Sequence, residues 1–118
     1  MSAPNIVNVT AITGKTAAAI AALTPTALVT NAANSGNVIK LNTVVAANAN
    51  AANATITVEL YRNSTSFYLA SGITVPAKAQ LTILAKDVSI YLEEGDTLRV
   101  SASTATGISV TSSYEILG

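Results

Sequence analysis

The segment TITVELYR, residues 55–62, has the clearest strand pattern in the chain. Its apolar residues Ile56, Val58 and Leu60 alternate with threonine, glutamate and tyrosine, and a β-strand places successive side chains on opposite faces. The pattern therefore predicts a strand with one face in a core. The polar connection at residues 63–65 has the length of a hairpin turn and leads into the aromatic segment SFYLA, residues 66–70, so we expect an antiparallel partner there.

Similar short apolar segments recur along the chain at spacings of about 8 to 12 residues, which is typical of a β-sandwich or barrel. We expect Pro76 to close one of these strands or to lie on a sheet edge, because proline lacks the N–H group that a ladder bond needs. Together the segments predict an all-β protein, an antiparallel β-sandwich of jelly-roll or immunoglobulin type with about eight short strands. The further segments cover residues 38–45, 72–76, 80–84, 88–92, 97–103 and 107–116.

The first third of the chain is harder to interpret. Residues 5–10 fit either a strand or an ordered N-terminal arm. Residues 15–23, KTAAAIAAL, are rich in the helix former alanine, but the flanking threonines and the strand-rich surroundings favour an alanine-rich strand. Residues 46–54, AANANAANA, fit a loop or the ends of two adjoining strands, with a helix as the alternative. We divide the chain into residues 1–14, an N-terminal arm or first strand, and residues 15–118, a single β-sandwich domain.

The composition bears on function through two absences. The 118-residue chain contains no cysteine and no histidine. It therefore lacks disulfides, thiolate nucleophiles, the commonest general base and the commonest metal ligand. Catalytic Ser-His-Asp and Cys-His arrangements are excluded. We predict that the protein is not an enzyme, with no catalytic residue and no cofactor.

The low and balanced charge of the chain favours a protein that is part of a larger assembly. The six basic and six acidic residues give a formal net charge of zero, and only 10% of residues are charged. A surface of low and balanced charge resists self-association poorly. The basic residues are scattered, so we expect no nucleic-acid partner. The longest apolar run, residues 17–23, is too short to span a membrane as a helix, and we expect no membrane partner or signal peptide.

Three of the six carboxylates lie within the segment LEEGD, residues 92–96. A catalytic pair of acids would need a cleft and a raised pKa on one of them, and solvated turn acids lack both. Glu93, Glu94 and Asp96 are a weak candidate for a calcium site, since Ca²⁺ prefers several oxygen ligands. The favoured interpretation is a β-turn in which Gly95 takes a positive φ and the acids point into solvent.

Two further patterns in the sequence resemble ligand-binding features. Tyr61, Phe67, Tyr68, Tyr91 and Tyr114 could form a stacking platform, but their irregular spacing favours packing in the core or at an interface. The tripeptide GKT, residues 14–16, matches only the end of a phosphate-binding loop and lacks its earlier glycine. We interpret that match as chance.

The chain resembles a family of small proteins from tailed bacteriophages, notably marine and cyanobacterial phages. The similar segments are ITGKT (12–16), LVTNAANSGNVIKLNTVVAAN (28–48), ATITVELYR (54–62), FYLASGITVPAKAQLTIL (67–84), DVSIYLEEGDTLRVSAS (87–103) and SVTSSYEI (109–116). The resemblance implies a small virion structural protein with a β-sandwich fold and no enzymatic role. The sequence departs from the family at AANANAANA, where related proteins tend to have a glycine-containing turn.

Among virion structural roles we expect a capsid decoration or cement protein, which would stabilise the phage head by bridging capsid subunits. Its expected partners are the major capsid protein or other virion proteins, and its expected state is a homotrimer or another homo-oligomer. It would be found in the virion, after assembly in the host bacterial cytoplasm. The alternatives are a structural protein of the tail, neck or fibre, or a β-sandwich module that binds host-surface glycans.

Overall fold

The computed structural model describes residues 11–85, 87 and 89–118 of the chain. Within them it forms nine β-strands and no α-helix. The strands are β1 (Ile12–Ile20), β2 (Thr26–Thr30), β3 (Val38–Asn48), β4 (Ala54–Arg62), β5 (Thr65–Val75), β6 (Gln80–Leu84), β7 (Ile90–Leu92), β8 (Thr97–Ala102) and β9 (Ile108–Leu117).

The strands form two antiparallel sheets packed as a sandwich, which confirms the predicted fold class. The first sheet has the order β1-β9-β3-β6, with β7 also paired to β3, and the second has the order β2-β8-β4-β5. Strands β6 and β7 share one edge of β3, so each sheet has four strand positions. Most connections pass from one sheet to the other. The sequence predicts a fold of jelly-roll or immunoglobulin type. Alternation of successive strands between the two sheets is the topology of a jelly roll.

The core lies between the two sheets and is built from small and medium apolar side chains. The alternation in TITVELYR is confirmed, since Ile56 and Val58 are fully buried and Leu60 packs at the margin of the core. Burial of such side chains is the main favourable term in folding. The buried cluster contains Ala21, Val29, Ile39, Leu41, Val44, Ala46, Ala54, Ile56, Val58, Val75, Leu84, Leu92, Leu98, Val100, Ala102, Ile108 and Val110.

The alanine-rich segment is a strand and not a helix. β1 pairs with β9 over nine consecutive positions, and its Ala17 packs against the core. Tertiary pairing thus outweighs the helix propensity of alanine. The strand begins at Ile12, so the division proposed after residue 14 falls inside β1. The expectation for residues 5–10 lies outside the described residues.

The connections follow the turn chemistry of the sequence. Asn63 and Ser64 have φ of 51° and 60°, which is the backbone of the two-residue type I′ turn that suits hairpins. β5 ends at Val75, directly before Pro76, as predicted. Residues 49–53 form the connection between β3 and β4, so AANANAANA comprises the ends of two strands and a short loop. No helix able to cross a membrane occurs in residues 11–85, 87 and 89–118.

Candidate functional site

The acidic segment forms the tight turn between β7 and β8. The Asp96 N–H donates to the Glu93 carbonyl oxygen over 3.0 Å, and the Gly95 N–H donates to the Asn31 carbonyl oxygen over 2.8 Å. Gly95 has φ of +89°, the left-handed conformation that glycine adopts at no steric cost. The predicted turn is therefore confirmed, and the second bond fixes it against the end of β2.

Asp96 is buried at one end of the sandwich and binds Arg62 of β4. It is 2% exposed, and its Oδ1 and Oδ2 accept bonds from Arg62 Nε and Nη2 over 2.9 and 2.5 Å. The Glu93 N–H also donates to Oδ2 over 2.8 Å. Three donors thus satisfy the buried carboxylate. A bidentate bond of this kind fixes geometry as well as charge.

The prediction that the acids point into solvent is wrong for the buried Asp96, and the other two acids also bind protein groups. Glu93 Oε2 lies 3.1 Å from Arg62 Nη2, although the Glu93 side chain is 65% exposed. Glu94 Oε2 accepts a bond from the Gly36 N–H over 2.8 Å. The turn pattern predicts only where the backbone reverses. It does not indicate which cations and N–H groups the tertiary fold places beside the acids.

Asn31 connects this turn to the loop that follows β2. It is 2% exposed, and its amide nitrogen donates to the carbonyl oxygens of Asn37 and Leu92, each over 3.0 Å. Its Oδ1 accepts a bond from Ser35 Oγ over 2.6 Å. A buried amide that satisfies several backbone groups holds loops that would otherwise lose these bonds. No sequence pattern separated Asn31 from the many other asparagines.

The hydrogen bond to Asp96 raises the pKa of the Arg62 guanidinium, although partial burial acts in the opposite direction. The folded state therefore favours charged Arg62 more strongly than the unfolded chain does. A raised pKa stabilises the fold below the ordinary pKa of arginine, and this stabilisation is lost only as the pH rises through the folded value. Arg62 contributes no pH dependence near neutrality.

The calcium interpretation of Glu93, Glu94 and Asp96 finds little support in this geometry. Asp96 uses both oxygens on Arg62, and Glu94 is directed to the Gly36 N–H. Calcium requires about six to eight oxygen ligands directed at one point. Among the described residues, no group of three or more histidine, cysteine, aspartate or glutamate side chains is placed to hold a metal ion.

Substitution of Gly95 by valine is expected to lower the free energy of unfolding by about 2 kcal/mol, within the range for a residue held at an unfavourable positive φ. A Cβ atom at Gly95 would meet nothing within 4 Å, so the loss comes from the backbone alone. Urea denaturation measures it.

Gly14 provides the matched control for this variant. A Cβ there also meets nothing within 4 Å, and its φ lies outside the left-handed region. Gly14→Val should therefore leave stability nearly unchanged or improve it slightly, since valine suits a strand. Equal losses in the two variants would contradict the role assigned to the conformation of Gly95.

A second charged cluster lies on the outer face of the second sheet. Glu59 is 3% exposed, and its Oε1 accepts a bond from Arg99 Nε over 2.6 Å. Arg99 Nη2 also pairs with Glu59 and donates to Ser66 Oγ over 3.2 Å. The guanidinium carbon stands 3.7 Å from the centre of the Tyr61 ring, a favourable cation–π geometry. Arg99 thus covers Glu59 and neutralises it.

Both ion pairs follow from the register between β4 and β8. Glu59 lies directly opposite Arg99, and Tyr61 lies opposite Thr97. One further step of the same register brings Arg62 opposite Asp96. The sequence contains the matching signal as ELYR (59–62) and DTLR (96–99), in which an acid precedes an arginine by three residues. Antiparallel pairing of these two segments brings each acid beside the other segment's arginine, and opposite charges across strands stabilise a sheet.

The five aromatic residues do not form one platform. Tyr61 stacks with Arg99, and Tyr114 packs against the core. Phe67 and Tyr68 are 52% and 61% exposed on β5, and Tyr91 is 40% exposed on β7 of the other sheet. Of the predicted packing in the core or at an interface, Tyr114 packs against the core, whereas interface packing of the exposed Phe67 and Tyr68 stays a prediction. The GKT tripeptide lies within β1 and not in a loop before a helix.

The fold is similar to that of a solved Bacillus endospore appendage, from a family of disulfide-linked pili. The similarity has a TM-score of 0.53 and a sequence identity of 14%, and it covers 91% of this chain and 85% of that chain. At this identity it shows a shared fold alone. No protein-family model matches the chain, and no curated protein matches it.

Proposed function

We propose that the protein is a non-enzymatic structural protein of a phage particle, a capsid decoration or cement protein that bridges capsid subunits on the head. The observation that carries the proposal is a group of exposed apolar side chains on β5, the outer strand of the second sheet, which carries no charge. Phe67, Tyr68, Leu69 and Ile73, which we call the β5 patch, are 52%, 61%, 38% and 42% exposed.

The composition of β5 is typical of a surface that is buried in a protein interface. Its eleven residues, TSFYLASGITV, include no charged residue. Aromatic residues are enriched and charged residues depleted at the cores of protein interfaces. Single exposed apolar side chains are common, but four on one uncharged outer strand are suited to burial by a partner that covers this edge of the sheet. The β5 patch fits a protein partner that buries it.

The charges of the second sheet support the same function. Arg62, Arg99, Glu59 and Asp96 are all engaged in ion pairs within the protein, so they leave little unpaired charge on this side to resist contact with another subunit. The phage assignment itself is supported by the sequence resemblance. A pilus protein of similar fold is a precedent for this sandwich in a structural role, although this chain has no cysteine for disulfide links.

Such a protein would stabilise the head by mass action. A molecule that binds the assembled lattice and not its separated subunits favours the assembled state, by an amount that grows with its concentration relative to its dissociation constant. No catalytic group is required for this. The proposed partners are therefore the major capsid protein and other virion proteins, and the proposed location is the virion.

The proposal is tested by co-sedimentation of the purified protein with phage heads that lack it. The double variant Phe67→Ser/Tyr68→Ser should bind at least about tenfold more weakly, since truncating aromatic anchors at an interface costs about 2 kcal/mol or more. Its stability should change by no more than about 0.5 kcal/mol, as is usual for exposed positions. Tyr91→Ser, on the other sheet, is the control and should bind normally.

The outcome also separates the alternatives. Binding to isolated tails and not to heads would replace decoration by a tail, neck or fibre role. Glycan binding that a chelator abolishes would favour a host-surface module. Absence of the chain from purified virions by mass spectrometry would overturn the phage proposal as a whole.

A further inference from the structure

In the part of the chain that the structure describes, β1 is the outer strand of the first sheet and has a regular, open edge. Among residues 11–85, 87 and 89–118 it pairs only with β9, over nine consecutive positions without any shift of register. Seven of its nine residues are exposed. An open strand edge presents backbone N–H and C=O groups that can pair with another strand.

The backbone bonds identify which residues face that open edge. The Ala21 N–H donates to the Ile108 carbonyl oxygen, and the Gly118 N–H donates to the Ala11 carbonyl oxygen. Both bonds continue the β1–β9 register by one position, so the odd-numbered residues of β1 are those bonded to β9. In antiparallel pairs the alternate residues direct their groups the other way. These are Ile12, Gly14, Thr16, Ala18 and Ile20.

The other edges in the described part of the chain have features that hinder strand pairing. β2 has five residues and a register shift between Ala27 and Val29. The pairing of β5 shifts twice, and its Gly72 has φ of +61°. The remaining edge is divided between β6 and β7, of five and three residues. Short strands and bulges are the usual protection of sheet edges, and β1 has neither.

We propose that β1 pairs antiparallel with β1 of a second copy of this chain, with the two Thr16 residues opposite each other. In this register Ile12 lies opposite Ile20 of the second copy, and Gly14 lies opposite Ala18. Each of the five outward-facing residues then meets another outward-facing residue. Every such pair exchanges two backbone hydrogen bonds, so the register satisfies all the open groups of both strands.

The side chains favour a second copy as the occupant of this edge. Ile12 and Ile20 are 62% and 55% exposed and lie on the same face of β1, and the two-fold register places each beside the other. Thr16 meets Thr16, a favourable cross-strand pair. Lys15 is the one charged residue of β1 and lies opposite Ala17, so like charges are not directly opposed.

The pairing rests on the proposed structural function, because a single strand edge is a narrow contact. Nine paired residues form a contact about 30 Å long and one strand wide, so the buried area is less than the roughly 800 Å² per partner of a standard interface. The contact therefore suits copies held at high local concentration in an assembly. Its two-fold symmetry makes a dimer or a link between neighbouring oligomers, and it does not by itself build the expected homotrimer.

Disulfide trapping tests the register, because the chain has no native cysteine. Thr16→Cys should form a reducible dimer when the concentrated protein is oxidised. Opposed residues in a hydrogen-bonded pair lie about 5.5 Å apart between Cα atoms, within the range of disulfides. Ala18→Cys is the matched control on the same strand and face. Its two copies would lie about 13 Å apart along the strands, and we expect at least about tenfold less dimer.

A second measurement confirms the direction of pairing. Gly14→Cys mixed with Ala18→Cys should give the mixed disulfide in preference to either homodimer, and Gly14 has space for the added side chain. Dimers of Ala18→Cys alone would indicate a different register and overturn the proposal. No dimer from any variant would also overturn it. Neither result affects head binding through the β5 patch, so the two proposals fail separately.

Discussion

Arg62→Ala is expected to lower the free energy of unfolding by about 3 kcal/mol, at the low end of the range for breaking a buried ion pair. Asp96 is 2% exposed, and both of its carboxylate oxygens accept bonds from Arg62. The variant leaves the Glu93 N–H as the remaining donor to a buried charge. The Arg62 side chain is 35% exposed, so solvent moderates the loss. Urea denaturation at neutral pH measures it.

A double-mutant cycle with Asp96→Ala isolates the pair. Once Arg62 is absent, removing Asp96 should cost much less than it does in the native chain, because no uncompensated carboxylate remains. Lys15→Ala is the control, since Lys15 is exposed and makes no ion pair among the described residues. If Arg62→Ala were no more harmful than Lys15→Ala, the ion pair would have no structural importance.

The inward face of β4 could be predicted from the sequence because a strand repeats every two residues. Alternation alone places Ile56 and Val58 in the core. The same rule places Glu59 on the outer face and gives no reason for it to be buried. Glu59 is buried beneath Arg99, which lies forty residues further along the chain. A local pattern assigns a face, whereas the burial of that face depends on the neighbouring strand.

The acidic turn shows the same division. The alternation on either side of residues 93–96 and the glycine at position 95 sufficed to predict the turn. The partner of Asp96 is thirty-four residues away, and it can be named only when the register of β4 and β8 is known. The paired spacing in ELYR and DTLR then assigns both ion pairs, although neither segment indicates by itself which strand it will meet.

Two buried asparagines had no signal in the sequence. Asn31 and Asn48 are 2% and 3% exposed, although asparagine is mostly a surface residue. The Asn48 amide nitrogen donates to the carbonyl oxygens of Ala52 and Val75. Each amide holds a loop beside a strand end. Each asparagine binds backbone carbonyl groups in loops or at strand ends. Which carbonyl groups these are depends on the tertiary structure and cannot be predicted from a local sequence pattern.

Arg99→Ala is expected to cost about 3–5 kcal/mol, the range for removing one partner of a buried pair. The Glu59–Arg99 pair is more enclosed than the Arg62–Asp96 pair on its arginine side, with side-chain exposures of 24% for Arg99 and 4% for Glu59. The variant also removes the contact with Tyr61 and the bond to Ser66. Denaturant unfolding should therefore show a larger loss than for Arg62→Ala.

Arg99 both neutralises the charge of Glu59 and packs over its side chain, and substitutions can separate these two effects. Arg99→Met keeps an unbranched apolar side chain over the sheet but removes the charge, so it should remain strongly destabilising while Glu59 is present. Combining Arg99→Met with Glu59→Gln should recover most of the lost free energy of unfolding, because the buried group is then neutral. If Arg99→Met alone were harmless, cover would suffice, and the buried carboxylate would not depend on a cation. Recovery only in the double variant would show that the outer face of this sheet is stabilised by the neutralisation of Glu59.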